Sequence, residues 1–480
     1  MRTRQANGTW KLAIVAGICF WGGMVAQAAE KQAATGKPNV LFIAVDDLND
    51  WISPLGGYKG IQTPNFDRLA KGSMTFTKAY CAAPACNPSR AALMTGIRPS
   101  TSGVYHNSQP WRPAMPKAVT LTQHFMAHGY QALGGGKIFH GGFNDDASWN
   151  SYFKQRPDPS PAQKPANGMA NTSHFDWGPL TNDDDAMGDW QMVDWAVGEL
   201  AKPHEQPLFL AAGLYRPHLP WYVPQKYFDQ YPLKDIVLPQ APADDLADVP
   251  AGGVKMANPN GDHKKVLESK NWENGVQGYL ASIAFADRCL GRLLDALEKS
   301  PQGKNTIVVM WGDHGWHLGE KQHWRKFTLW EEADRVPLFI YAPGLTAAGT
   351  RCDRTVSLLD LYPTLSELCG LPVPAEVEGQ SLVPLLKDPQ AAWSRPVITT
   401  HGRNNHAVRS ERYRYIRYAD GGEELYDHEQ DPMEWKNLAQ QPDLSAVKAE
   451  LSALLPKTNA PDAASNEGGR KKKSNKKKAE

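Results

Sequence analysis

The chain has 480 residues, of which 41% are hydrophobic and 21% are charged. This is the composition of an ordinary globular protein, and it excludes a collagen-like, low-complexity or multi-span membrane protein. The length allows one large domain and a smaller one. Charge is unevenly distributed, because residues 29–464 carry 42 basic and 49 acidic side chains, whereas residues 465–480 carry seven and two. The acidic body argues against general nucleic-acid binding.

The first 28 residues have the pattern of a secretory signal peptide. Arg2, Arg4 and Lys11 precede an apolar run over residues 12–26, and the small residues of Ala26-Gln27-Ala28 offer a cleavage site. The run is short for a membrane-spanning helix, and no other stretch is apolar for long enough to cross a bilayer. We therefore predict a signal peptide over residues 1–28, no membrane span, and export to the periplasm or the medium. A retained membrane helix is the alternative.

Beyond the signal, apolar runs alternate with a helical pattern. Residues 39–45 form an uninterrupted apolar run, which is typical of a central strand in a parallel sheet. Apolar residues recur at three- and four-residue spacing over residues 276–297, which predicts an amphipathic helix. Strands alternating with helices indicate an α/β sandwich, with a large, mainly parallel central sheet flanked by helices. Further strands are predicted at residues 130–133, 207–213, 306–311 and 336–341.

Other regions depart from this pattern. Residues 143–190 and 231–275 show no period and are predicted to be long loops. Residues 407–418 alternate in polarity and residues 423–427 follow a turn, which predicts a small antiparallel subdomain. The basic C-terminal tail is predicted to be disordered, with a tether to polyanions as a further hypothesis. The predicted domains are the catalytic α/β domain over residues 37–390, the antiparallel subdomain over 391–456 and the basic tail over 457–480.

Acidic residues follow two of the predicted central strands. Asp46 and Asp47 come directly after the first strand, and Asp313 and His314 follow the strand at residues 306–311. In an open α/β sheet, ligands bind beyond the carboxyl ends of the strands. Three carboxylates at one edge repel one another and need a cation, and oxygen ligands favour Ca²⁺ or Mg²⁺ over zinc. The alternative is that each pair only caps a turn.

A cysteine lies at the predicted start of a helix. Pro88 suits the first turn of a helix, so Cys86 stands where free backbone N–H groups attract anions. Arg90 can bind an oxyanion through its planar fork. An inert buried cysteine is the alternative. The odd number of cysteines left after the signal suggests one thiol with a separate role, and Cys352 with Cys369 is one possible disulfide.

This segment resembles the signature of the formylglycine-dependent type I sulfatases, in which the cysteine is oxidised to formylglycine after synthesis. The residues that carry the resemblance are Cys86, Pro88, Ser89, Arg90, Thr95 and Gly96. Within that family the chain is most similar to the iduronate-2-sulfatase branch. The shared segments are residues 136–140, 215–218, 313–316, 318–320, and Lys326 ahead of residues 336–338. The resemblance implies an alkaline-phosphatase-like sandwich, a bound Ca²⁺ and a formylglycine-generating maturation enzyme as a partner.

The resemblance also implies roles for individual residues. Arg90 would hold the modified residue, and Lys137 and Lys326 would contact the sulfate oxygens. His140 would pair with a hydroxyl of the modified residue, and His218 would protonate the leaving oxygen. The implied ligands of Ca²⁺ are Asp46, Asp47, residue 86, Asp313 and His314.

The resemblance implies removal of sulfate from a sulfated carbohydrate, for which a 2-O-sulfated uronic acid of a polysaccharide is one candidate. Hydrated formylglycine offers two hydroxyls, one to attack sulfur and one to lose its proton as sulfate departs. Trp111 and Arg112 are candidate saccharide contacts, because aromatic rings stack on sugars and Arg binds carboxylates. A phosphodiester or phosphonate monoester hydrolase and a non-catalytic glycan-binding protein are the alternatives. Four further candidates lie near the signature segments: His106, His317, His323 and Trp324.

Overall fold

A computed structural model describes residues 36–172 and 174–465. Its centre is an eight-stranded sheet. All strand pairs are parallel except those of Arg335–Tyr341, which runs antiparallel to both its neighbours. The five strands predicted from apolar runs are all present in this sheet. The strands across the sheet are Arg351–Ser357, Met74–Tyr80, Arg335–Tyr341, Thr306–Gly312, Asn39–Val45, Leu208–Leu214, Gln131–Gly136 and Ser151–Phe153.

Helices cover both faces of the sheet. Leu41, Ile43 and Val45 pack into the core on one face, with the long helix Trp272–Lys299, which confirms the predicted amphipathic helix. The intervening residues of the same strand pack into the opposite core. The uninterrupted apolar run follows from this burial on two faces. The α-helices are Pro64–Gly72, Cys86–Thr95, Pro99–Ser102, Trp111–Ala114, Leu121–Ala127, Gly188–Leu200, Gln225–Phe228, Ala251–Ala257, Asp262–Glu268, Trp272–Lys299, Glu331–Asp334, Leu361–Leu368, Val383–Lys387 and Ser445–Ala453.

The two predicted long loops contain regular structure, so those predictions are partly wrong. Ser151–Phe153 adds an edge strand to the central sheet, and Trp177–Leu180 pairs with Trp221–Pro224. Helices Ala251–Ala257 and Asp262–Glu268 lie in the second region. Short elements of this kind are held by distant partners rather than by a local pattern, which explains why periodicity did not indicate them.

The C-terminal region forms a separate four-stranded antiparallel sheet. The predicted strand over residues 407–418 is in fact two strands joined by a turn, in which Ser410 N donates to Tyr413 O. Residues 457–465, predicted to belong to a disordered tail, instead lie against residues 100–108 of the main body. The strands are Val397–Thr400, His406–Arg409, Tyr413–Arg417 and Glu423–Asp427, in that spatial order.

Three further predictions concern the ends of the chain and its thiols. Both the predicted signal peptide and residues 466–480 of the basic tail lie outside the described residues. Among the described helices, none has the length and apolarity that a bilayer crossing requires. The cysteines of the described region are all buried thiols, so the possible Cys352–Cys369 disulfide is not formed.

Candidate active site

Three carboxylates meet at the carboxyl ends of two neighbouring strands. Strands Asn39–Val45 and Thr306–Gly312 are paired in register, so the residues that follow them are brought together. Asp46, Asp47 and Asp313 are each fully buried. The Asp47 N–H donates to Asp313 Oδ1 at 3.0 Å, and the backbone φ of Asp47 is 59°. The predicted acidic cluster therefore exists, at the edge of the sheet where ligands bind.

Cys86 begins the helix Cys86–Thr95, and its thiol faces this cluster. The Sγ atom lies 3.0 Å from Lys326 Nζ, 3.3 Å from His314 Nε2 and 3.6 Å from Lys137 Nζ. Burial acts to raise the pKa of the Cys86 thiol, as does Asp46, but Lys137, Lys326 and His314 together lower it below its ordinary value. The thiol is thus held among positive charges that favour an anionic group at this position.

The guanidinium group of Arg90 donates hydrogen bonds to two acids of the cluster and to nearby backbone oxygens. Its Nε donates to Asp313 Oδ2 at 2.8 Å and its Nη2 to Asp46 Oδ1 at 3.1 Å. Its Nη1 donates to the backbone oxygens of Lys137 and Ile138. All these hydrogen bonds go to acids and backbone oxygens, so Arg90 fixes the carboxylates and the Lys137 segment beside residue 86.

The two lysines enter from different segments and are paired with acids. Lys137 Nζ forms an ion pair with Asp46 Oδ2, and Lys326 Nζ lies 2.6 Å from Asp47 Oδ1. Lys137 follows Gly136, whose φ is +74° and at which a Cβ would meet Gly213 O at 1.9 Å. Burial acts to lower the pKa of Lys137, but Asp46 and Cys86 raise it above its ordinary value. Lys137 therefore stays charged.

The three predicted histidines lie around the same centre. His314 directs Nδ1 to the Gly315 carbonyl and Nε2 towards Cys86. His218 Nε2 lies 3.9 Å from Asp47 Oδ2, while His140 Nδ1 is buried without a hydrogen-bond partner. Burial, reinforced by Lys137, lowers the pKa of His140 to about 3 and holds that of His218 well below its usual range. Both rings are therefore neutral near pH 7.

The donor set fits a hard divalent cation. Ligand atoms of Asp46, Cys86, Asp313 and His314 all lie within 4.8 Å of one another. The remaining carboxylate offers a buried oxygen, Asp47 Oδ2, that has no hydrogen-bond partner. Burial raises the pKa of Asp47 to about 7, because the positive charges of Lys326 and His314 do not offset the loss of hydration. The three carboxylates supply the oxygen donors that such a cation prefers, whereas the Cys86 sulfur and the His314 imidazole do not select for it.

Of the two predicted saccharide contacts, Trp111 is packed in the core and Arg112 is paired with an acid. Trp111 is 1% exposed, stacks on Phe139 and donates its indole N–H to Phe143 O. Arg112 binds Asp145 and covers the Trp111 ring at 4.3 Å. His317 is likewise buried, at 2.9 Å from Thr328. Nearness to the signature in sequence does not fix side-chain direction, and the Trp111 and His317 side chains face the core.

A cavity of about 640 Å³ opens beside the site, since Arg325 and Phe327 on either side of Lys326 line it. Three candidates from the sequence, His106, His323 and Trp324, do line this cavity. Sequence reasoning missed the rest, most of which come from distant segments. The additional polar lining residues are Lys255, Asn258, Asp262, His263, Arg325, His401, Asn405, Tyr418 and Asp420.

A row of side chains connects this cavity to His218. Arg325 Nε lies 2.6 Å from Asp262 Oδ2, and its Nη1 lies 3.1 Å from His174 Nε2. The His174 ring in turn stacks on His218, with ring centres 6.3 Å apart. Contacting side chains therefore link the wall of the cavity to the cluster around Cys86.

Comparisons with known proteins agree with this arrangement. Residues 38–371 match the family described as Sulfatase, and residues 319–460 match N-sulphoglucosamine sulphohydrolase, C-terminal. A protein of Formosa agariphila named Sulfatase is 43% identical over 475 residues, covering 94% of this chain and 93% of its own. Iduronate 2-sulfatase of Mus musculus is 31% identical, with 72% and 71% covered. A solved structure described as a 2-O GAG sulfatase is 26% identical with a TM-score of 0.70, with 87% and 91% covered.

These similarities extend over most of the chain. They confirm the resemblance carried by the segment around Cys86, and the predicted alkaline-phosphatase-like sandwich with its small antiparallel C-terminal sheet is confirmed with it. The chain belongs to the sulfatase family and is a sulfuric ester hydrolase.

Proposed function

We propose that the protein removes sulfate from a sulfated saccharide and that residue 86 is the nucleophile, after a maturation enzyme has oxidised Cys86 to formylglycine. The observation that carries this proposal is the position of the Cys86 thiol. It lies between two lysines and His314 at the edge of a buried acidic cluster. Hydrated formylglycine would supply a hydroxyl nucleophile and a second hydroxyl that can lose a proton.

We further propose that Asp46, Asp47, Asp313 and His314 hold Ca²⁺ together with residue 86. The unpartnered Asp47 Oδ2 supports this assignment, as does the number of oxygen donors. When bound, the cation would neutralise charge on the sulfate oxygens and on the nucleophile. Burial acts to lower the pKa of His314, but Asp313 and Cys86 raise it to about 9, so the imidazole is protonated in the free chain. That proton would have to be displaced, because metal ligation requires a neutral imidazole.

Protein side chains then provide the remaining functions. Lys137 and Lys326 would bind the sulfate oxygens, and both are buried, where an ion pair with the substrate is strongest. His140 is neutral and can accept a proton from residue 86. His218 would donate a proton to the leaving oxygen. It is neutral in the free chain, and the negative charge of a bound sulfate would favour its protonation.

A 2-O-sulfated uronic acid is the substrate that we propose. The names of two similar proteins, iduronate 2-sulfatase and 2-O GAG sulfatase, describe action on this kind of ester. The cavity beside Lys326 has room for a sugar ring and presents Lys255 and Arg325 to a carboxylate. Tyr418 and Phe327 offer ring surfaces for stacking.

We also propose that the enzyme is exported, with residues 1–28 as a signal peptide. The charged residues and apolar run at the N-terminus support export. Residues 37–390 would be the catalytic domain and 391–456 the antiparallel subdomain.

A leaving-group panel tests the proposed function. The full chain, produced with a maturation enzyme, is assayed with 2-O-, 4-O- and 6-O-sulfated disaccharides, a phosphodiester and a phosphonate monoester. We expect sulfate release, fastest from the 2-O-sulfated uronate. Faster cleavage of the phosphorus esters would favour the hydrolase alternative. Binding of the sulfated sugars without turnover by the modified protein would favour the glycan-binding alternative.

A further inference from the structure

The C-terminal segment 459–463 lies across the loop that carries His106, and we call this segment the strap. Ala460 N donates to Ser100 O at 2.8 Å, and Ala463 N donates to Gly103 O at 2.9 Å. At Gly103, whose φ is +76°, a Cβ would meet Pro461 O at 2.3 Å. The strap is therefore seated by backbone contacts so close that they require a glycine.

One buried side chain connects the strap to the loop over residues 105–109. Gln109 is 2% exposed, and its Oε1 accepts the N–H groups of Tyr105 at 2.6 Å and His106 at 2.7 Å. Its Nε2 donates to Ala463 O at 3.0 Å and to Asp462 Oδ1 at 3.3 Å. The amide of Gln109 thus holds the loop with its oxygen and the strap with its nitrogen.

The same loop holds the residue next to the nucleophile. Asn87 Nδ2 donates to Gln109 O at 2.7 Å and to His106 O at 3.0 Å. Asn87 N also donates to Asn107 Oδ1 at 2.9 Å. The start of the helix that presents Cys86 therefore anchors the inner side of this loop through contacts that do not involve the strap.

The strap also contacts the opposite wall of the cavity. Arg403 Nη2 donates to Asn459 O at 3.3 Å, and residues on either side of Arg403 line the cavity. The rings of His106 and His401, which both line the cavity, meet edge to face with their centres 6.1 Å apart. One wall comes from the main body and the other from the C-terminal sheet. The strap joins them.

We propose that the strap is a positioning element of the saccharide cavity and that Gln109 is the positioning residue through which it acts. It fixes the wall that carries His106 relative to the wall that carries His401, and so sets the affinity for a saccharide larger than the sulfate group. This inference rests on the proposed function, because it takes the cavity to be the saccharide site.

A pair of truncations tests the proposal. A chain ending at Ser465 keeps the strap and removes the basic tail, whereas a chain ending at Thr458 removes both. We expect the KM for a sulfated disaccharide to be about 10-fold higher in the chain ending at Thr458 than in the chain ending at Ser465. This is the effect of losing one or two hydrogen bonds. Hydrolysis of a small aryl sulfate should stay within about twofold, because the lysines that bind sulfate come from other segments.

Gln109→Glu sharpens this test, because it keeps the acceptor for Tyr105 and His106 but loses the donor to the strap. We expect the substitution to raise the disaccharide KM in the full chain and to have almost no further effect in the chain ending at Thr458. Equal effects in both backgrounds would contradict the coupling. An unchanged KM in the chain ending at Thr458, or equal losses on disaccharide and aryl sulfate, would contradict the positioning role.

Hydrogen exchange provides a measurement that is independent of turnover. The amides of Tyr105 and His106 should exchange slowly in the chain ending at Ser465 and faster in the chain ending at Thr458. If neither protein releases sulfate but the exchange difference is present, the proposed function fails and the strap stands as a positioner of this loop. Identical exchange in the two chains would overturn the strap proposal itself.

Discussion

Two clusters of buried charge in the described part of the chain differ in what their cations contact. Around Arg414, which is fully buried, ion pairs reach Asp334 at 2.7 Å and Glu434 at 2.6 Å, with a further pair to Glu331. This cluster joins strand Tyr413–Arg417 of the C-terminal sheet to the segment before Arg335–Tyr341 of the central sheet.

In the second cluster, the cations also converge on a side chain that can react. Lys137 and Lys326 each pair with an acid and also approach Cys86, while Asp47 keeps a buried oxygen without a partner. Among the described residues, Arg414 forms hydrogen bonds and ion pairs only with acids and a backbone oxygen, whereas the lysines of the second cluster are also directed at one atom that can react. We therefore expect substitutions in the first cluster to change stability and those in the second to change activity.

The largest effect is expected at the nucleophile. Cys86→Ala should lower sulfate release by about 10⁴-fold or more, because it removes the reacting group. Cys86→Ser should be equally inactive if formylglycine is required. Cys289→Ala, at a buried thiol of the long helix, is the matched control and should retain activity. Full turnover by either Cys86 variant would refute the assignment.

Removing the cation of the structural cluster should act on folding. Arg414→Met leaves three buried carboxylates without their shared partner, and we expect the free energy of unfolding to fall by about 3–5 kcal/mol. Denaturant unfolding measures this loss. The folded fraction should keep the kcat of the parent protein. A large loss of kcat per folded molecule would show that the two clusters are not separate in function.

Removing a cation of the reactive cluster should act on catalysis. Lys137→Ala and Lys326→Ala should each lower kcat/KM about 100- to 1000-fold, since each would remove one contact to the sulfate oxygens. Lys321→Ala is the control, because Lys321 is a buried lysine that pairs with Asp245 at 2.7 Å. It should lower stability and leave kcat unchanged. Parental kcat/KM in a Lys137 or Lys326 variant would remove that lysine from the site.

The smallest effect on stability is expected from binding of the metal. Calcium at about 100 times its Kd should raise the free energy of unfolding by about 2.7 kcal/mol, and Asp47→Asn should reduce this gain. Because burial raises the pKa of Asp47 to about 7, protons compete with the cation below that pH. The shift in Tm on adding calcium should thus be larger at about pH 8 than at about pH 6. A shift independent of both pH and Asp47 would contradict the site.

Much of the site could be predicted because strand ends are visible in the sequence. The apolar run over residues 39–45 predicted a central strand with acids at its carboxyl end. The run before Asp313 predicted the neighbouring strand. The family resemblance indicated Lys137, His140, His218 and Lys326 as site residues. They come from segments far apart in the chain, and the fold brings them together around Cys86.

The remaining features depend on long-range packing that has no local pattern. Trp111 lies close to the signature in sequence, yet its ring stacks in the core on Phe139. The strap has the composition of a linker, and contacts with the distant residues Ser100, Gly103 and Gln109 hold it in place. Arg325 stands next to Lys326, but its link to His174 could not be inferred from spacing.

The chemical state of residue 86 tests the central claim most directly. Trypsin should release residues 79–90 as one peptide, which contains Cys86 together with Cys81 as an internal reference. In active enzyme, mass spectrometry should find one sulfur replaced by oxygen with loss of two hydrogens, located at residue 86, and activity should rise in proportion to that fraction. Full activity in protein whose residue 86 is entirely an unmodified thiol would contradict the account.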